Sequence, residues 1–128
     1  MAHNESMEMY LETVYLLERN EGHAHVADIA KKLEVSKPSV TKAMKSLKEK
    51  GLINKEPYGS ITLTVKGLEL SKKIFIRHEL ITRFLECSLG LSPTEASENA
   101  CKMEHVISDA MMTSIESYLD KHNIEVKV

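Results

Sequence analysis

Apolar residues recur at three- and four-residue spacing along most of the chain, and the breaks in that period divide it into six helical stretches and one short pair of strands. Met7, Tyr10, Leu11, Val14 and Leu17 form the first stripe, in a helix expected over about residues 7–19, with Ser6 as its N-cap and Asn20-Glu21-Gly22 as its end. Val26, Ile29, Ala30 and Leu33 mark a second helix, and Val40, Ala43, Met44 and Leu47 a third. Only Glu34-Val35-Ser36 separates these two. Ser36 is placed to cap the third helix, and Pro38 falls in its first turn, where amide hydrogens lack an intrahelical partner anyway. Gly51 closes that helix, and residues 52–56 and 60–64 read as strands around the turn Pro57-Tyr58-Gly59. Two short amphipathic helices across a tight turn, with a helix before and a hairpin after, predict a winged helix-turn-helix.

The pattern then lengthens. Thr64 can cap a helix over about residues 65–87, with Leu68, Ile74, Ile81, Phe84 and Leu85 on its apolar side and His78 midway along it. Gly90 stops it. Ser92-Pro93-Thr94-Glu95 is a capping box with proline at the first helical position, and Ser108-Asp109 can cap a last helix whose stripe is Met111, Ile115 and Leu119, followed by a tail over residues 121–128. Three helices enclose little core in one protomer. Their apolar faces are therefore expected to meet a second copy in a twofold homodimer, presenting two recognition helices about one DNA turn apart.

Charge sharpens the division. The total of −2 conceals seven lysines against two glutamates over residues 31–50, and eight acids against three lysines over residues 86–128. The first stretch suits a polyanion and the second does not. Once Val40, Ala43, Met44 and Leu47 turn inward, the exposed face of the third helix is left with Ser39, Thr41, Lys42 and Lys45. With Ser36, Lys37 and Pro38 at its start, it has small hydroxyls, a methyl for thymine and cations for phosphate or guanine edges, which suits the major groove of double-stranded DNA. Tyr58, Gly59 and Ser60 form a wing tip short enough to lie along the backbone beside it. A lysine-rich helix is in other settings only a solvated face, and it is the helix-turn-helix context that favours DNA here.

The chemistry lies near residue 101. In a helix, Cys101, Glu104 and His105 stand at i, i+3 and i+4, so a thiolate, a carboxylate and an imidazole share one face. Sulfur, oxygen and nitrogen together can hold a divalent transition metal, but three donors leave its coordination incomplete. The rest must come from elsewhere in the chain. Cys87 is expected to face apolar surroundings, and both cysteines are expected to be free thiols or ligands rather than a disulfide. No leader-type segment and no membrane-length apolar run occurs, so a cytoplasmic protein with no membrane partner is expected.

Ser6-Met7-Glu8-Met9-Tyr10-Leu11-Glu12, the 36–41 turn and helix, Leu63-Thr64-Val65-Lys66-Gly67, Arg77-His78-Glu79-Leu80 and the block over residues 101–109 together resemble the diphtheria toxin repressor family of metal-dependent regulators. The resemblance implies a mainly α fold: a winged helix-turn-helix DNA-binding domain, residues 1–66, followed by an all-helical dimerisation and metal-binding domain, residues 67–128. It implies a homodimeric repressor of metal-uptake genes, binding palindromic operator DNA when metal is bound. Met9, Cys101, Glu104 and His105 match the primary metal site of the iron-responsive branch. Glu12 and His78 match positions of a second metal in the manganese-responsive branch, with Glu98 nearby as a possible further donor. The chain departs from the iron branch at Thr82 and Ser97, which stand where that branch has further ligands, and from the manganese branch at Met9 and Cys101, which replace oxygen donors. Sulfur donors favour Fe(II) over Mn(II), and Co(II), Ni(II) or Zn(II) would also bind such a set in vitro. Two other readings stand beside this one: a winged-helix repressor sensing oxidants through Cys101, and a small metal-dependent hydrolase. The hydrolase lacks a visible nucleophile and leaves the recognition helix unexplained, so the chain is not expected to be an enzyme.

Overall fold

The computed structural model of the chain describes residues 5–56 and 59–126. The elements are α1 (Glu5–Glu21), β1 (Ala24–His25), α2 (Val26–Leu33), α3 (Lys37–Glu49), β2 (Ile53–Lys55), β3 (Ser60–Leu63), α4 (Val65–Leu89), α5 (Pro93–Met103) and α6 (Asp109–Lys121). They fall into two compact units, one reaching to Lys72 and the other starting at Lys73.

In the first unit, α1, α2 and α3 pack on one another, and α1 also covers β3. Leu11, Val14, Ile29, Val40, Met44, Leu47, Ile53 and Ile61 are buried there, so the stripes read from periodicity are the ones that turn inward. Ser6 is a correction: α1 already includes Glu5, which leaves Ser6 inside the helix rather than at its cap. Ser36 does cap α3, its side chain accepting from the Ser39 amide at 3.2 Å. The turn before it places Glu34 at φ 56°, and the Val35 amide reaches back to the Ala30 carbonyl. A left-handed residue with a side chain costs about 1 kcal/mol, and here it gives the sharp reversal between α2 and α3.

The hairpin gains a third strand that periodicity did not reveal. The antiparallel sheet has the order β1-β3-β2, with Ala24 opposite Ile61 and His25 opposite Ser60. With β1 only two residues long, the flank of β3 beyond it lacks a strand partner, and the Leu63 amide donates instead to Glu18 Oε2 at 2.9 Å. Pro57 and Tyr58 lie outside the described residues.

The start of α4 is tied to the end of α3. Thr64 Oγ1 accepts from the Gly67 amide at 3.0 Å and donates to the Gly51 carbonyl at 2.6 Å, while the Thr64 amide donates to the Leu52 carbonyl at 3.1 Å. The backbones come so close that a Cβ on Gly67 would lie 1.9 Å from the Leu52 oxygen.

In the second unit, Ile81 and Leu85 of α4, Ala96 and Ala100 of α5, and Met112, Ile115 and Leu119 of α6 form one core. Met112, not the expected Met111, continues the α6 stripe, and Met111 is exposed. Cys87 is likewise exposed rather than apolar-facing, and neither cysteine forms a disulfide. Ser92 and Ser108 cap α5 and α6 by accepting from the Glu95 and Met111 amides. The stretch after α6 is no loose tail: Ile124 and Val126 pack against the core, and Arg83 Nε donates to the Glu125 carbonyl at 3.3 Å.

Gly67→Ala is expected to lower stability by about 1–3 kcal/mol, because the added methyl meets backbone that has no rotamer to yield. Denaturant unfolding checks this, and a variant as stable as the parent would show that the junction relaxes freely.

Candidate functional site

Ala96, Ala100 and Glu104 recur every four residues and so lie on one face of α5 and its cap. Two alanines carry that face into the core. The third position carries a carboxylate with 0% exposure, and His105 beside it is 3% exposed. The Glu104 amide donates to the Ala100 carbonyl at 2.9 Å, and the Val106 and Ile107 amides both close one further turn on the Met103 carbonyl, at 3.0 and 3.1 Å. The helix proper ends at Met103, and His105 sits in the turn beyond it. Cys101, one residue past the buried alanine, is exposed.

An ionised carboxylate removed from water must have its charge met by a neighbour. Here an imidazole approaches each oxygen: His78 Nδ1 stands 3.2 Å from Oε2, and His105 Nε2 stands 3.1 Å from Oε1. Two ligands about 2.1 Å from one cation are themselves about 3.0–3.4 Å apart, between octahedral and tetrahedral angles. The observed spacings fall in that range. Imidazole nitrogen and carboxylate oxygen are also donors that first-row divalent metals accept, so these residues fit such an ion. His78 is held from its other side, with Nε2 3.3 Å from Ser97 Oγ. Ser97 was legible from sequence only as a position where a ligand is missing; its bond to a residue 19 positions away has no local signal.

An open cavity brings Cys101 and Glu98 together with His78 and Ser97. On α1, Met9 is 42% exposed and Glu12 is half-buried, and the Met9 carbonyl accepts from Thr13 Oγ1. Ser36, Lys37, Pro38, Ser39, Thr41, Lys42 and Lys45 are all exposed along the start and outer face of α3, while Gly59 and Ser60 are half-buried at the base of the hairpin.

The family model for the iron dependent repressor N-terminal DNA binding domain matches residues 3–61, and the model for the iron dependent repressor metal binding and dimerisation domain matches residues 64–125. The chain belongs to the iron-dependent repressor family. An uncharacterised HTH-type transcriptional regulator of Methanocaldococcus jannaschii is 40% identical over 96% of this chain and 99% of its own length. The HTH-type transcriptional regulator MntR of Shouchella clausii is 39% identical over 80% of this chain and 71% of its own. The diphtheria toxin repressor of Corynebacterium glutamicum is 33% identical over 91% of this chain but only 51% of its own. Among solved structures, the manganese regulator SloR is 31% identical with a TM-score of 0.75, covering 94% of this chain and 55% of that one. T. acidophilum IdeR, at 22% identity and a TM-score of 0.81, shares the fold. The mainly helical winged-helix architecture is thus that of the family, whose named members are transcription regulators. Among the described residues no helix is long and apolar enough to cross a membrane.

Glu104→Gln keeps the shape of the side chain but turns an amide N–H toward one of the two imidazoles. Its Co(II) affinity by calorimetric titration is expected to fall at least about tenfold. Unchanged affinity would remove Glu104 from the site.

Proposed function

We propose that this chain is a metal-activated transcriptional repressor that binds palindromic operator DNA as a homodimer and controls metal-uptake genes. The primary site consists of Met9, Cys101, Glu104 and His105, and a second site of Glu12, His78 and Glu98. The observation that carries this reading is the buried Glu104 carboxylate with a histidine nitrogen at each oxygen. Glu104 can thereby serve both sites, one oxygen toward each histidine. The relatives support a metal-responsive regulator but divide between iron and manganese. The thioether of Met9 and the thiol of Cys101 favour Fe(II), with Mn(II) as the alternative.

The DNA-reading part follows from α3. Its apolar face is spent on the core through Val40, Met44 and Leu47, so Lys42 and Lys45 are left to reach phosphates while Ser39, Thr41 and Pro38 approach base edges. A bound cation supplies a link between residues that are distant in sequence. Met9 and Glu12 belong to the helix that packs against α3, so fixing them restricts where the two recognition helices of a dimer can stand. To convert a 1:99 mixture of competent and incompetent arrangements to 99:1, the ion must prefer the competent one by about 5.5 kcal/mol. Donors contributed from both ends of the sequence provide that kind of preference, because the incompetent arrangement loses part of the set.

The test is an anaerobic gel-shift titration on an operator selected from random duplexes, with metal content measured on the same sample. Retardation is expected with Fe(II) or Mn(II) and is lost with chelator, Fe(II) acting at the lower free concentration. Operator binding indifferent to both metals and to chelator would end the proposal. Lys42→Ala and Lys45→Ala should each weaken operator and unrelated DNA alike and reduce the slope of log affinity against log salt by about one. Metal should also protect Cys101, but not Cys87, which is exposed as well, from iodoacetamide. Equal labelling of the two thiols with metal present would take Cys101 out of the ligand set.

A further inference from the structure

Three side chains from two helices form a line: Ser97 Oγ lies 3.3 Å from His78 Nε2, and His78 Nδ1 lies 3.2 Å from Glu104 Oε2. His78 projects from α4, whereas Ser97 and Glu104 come from α5 and its cap, seven residues apart. The imidazole is thus hydrogen-bonded at Nε2 to a half-buried hydroxyl, and its Nδ1 stands beside a buried carboxylate oxygen. We propose that Ser97 is a positioning residue that aims His78 Nδ1 at the cation shared with Glu104. This inference rests on the second site proposed above, in which His78 is a ligand.

The argument is one of donors and acceptors. A neutral imidazole carries one proton, and the nitrogen that faces a cation must be the one without it. When Nδ1 gives its lone pair to the ion, the proton is on Nε2 and requires an acceptor there. The Ser97 oxygen accepts it. A hydroxyl oxygen can accept that proton, whereas an ammonium could only donate. Alanine at position 97 offers no acceptor, and threonine keeps one.

Zn(II) titration by calorimetry on Ser97→Ala, Ser97→Thr and His78→Ala, with long-range 1H–15N spectra of the His78 ring in metal-free and Zn(II)-loaded protein, tests this. The parent is expected to show Nε2–H when Zn(II) is bound. Ser97→Ala should bind Zn(II) about tenfold more weakly and shift the Nε2 resonance from its place in the parent, and Ser97→Thr should restore both. Alanine suits a helix interior, so loss of folding does not confound the comparison. Parental affinity and ring shifts in Ser97→Ala would overturn the role of Ser97 alone, provided that His78→Ala weakens binding. Unchanged affinity and stoichiometry in His78→Ala would instead overturn the second-site reading, and this inference with it. A weaker Ser97→Ala whose ring spectrum matches the parent would also overturn it, since that is the result of a packing defect.

Discussion

A carboxylate sealed from water is the constraint around which the second unit is arranged. Burying an unpaired charge costs several kcal/mol or more, so Glu104 can occupy its place on the α5 stripe only with compensation close at hand. The helix supplies the burial: Ala96 and Ala100 are small enough for α5 to lie against Ile81 and Leu85 of α4 and Ile115 and Leu119 of α6. The same close approach carries His78 of α4 to one carboxylate oxygen, and the turn after Met103 carries His105 to the other. His78 thus arrives from a neighbouring helix and His105 from the next position along the chain, and two nitrogens reach one carboxyl group.

Capping chemistry explains why so much of the fold was readable in advance. Ser36, Ser92 and Ser108 each accept from the amide three residues on, and Thr64 does the same for Gly67, so local residues decide where α3, α4, α5 and α6 begin. Where local chemistry is silent, long-range packing decides. Ala24 and His25 become a strand only because Ile61 and Ser60 come alongside. Nothing in the alternation of residues 24–25 announces it. Glu34 takes a left-handed conformation that a glycine would have signalled, and Met111 and Met112 are equally apolar, so only packing decides which turns inward.

The candidate site divides along the same line. The spacing of Cys101, Glu104 and His105 is local and drew attention to this stretch, but it could not tell that burial separates them, with the thiol in an open cavity and the other two inside. The meeting of His78 with Glu104 spans 26 residues, and resemblance, not spacing, drew attention to that histidine. On α3 the case is simpler. Three buried apolar positions dictate which side faces out, so the exposed lysines and hydroxyls followed from the pattern.

The contact between Glu18 and Leu63 bears on how the sheet avoids pairing with another chain. A β-ribbon projecting from a small domain has unsatisfied amides along its margins, and these template stacking of one molecule on the next. On the β1 side of β3, two residues of strand cover the first positions, and a carboxylate from α1 takes the Leu63 amide beyond them. That margin is thereby closed with negative charge, which an incoming strand would have to displace. On that side the ribbon is a poor template for a further strand.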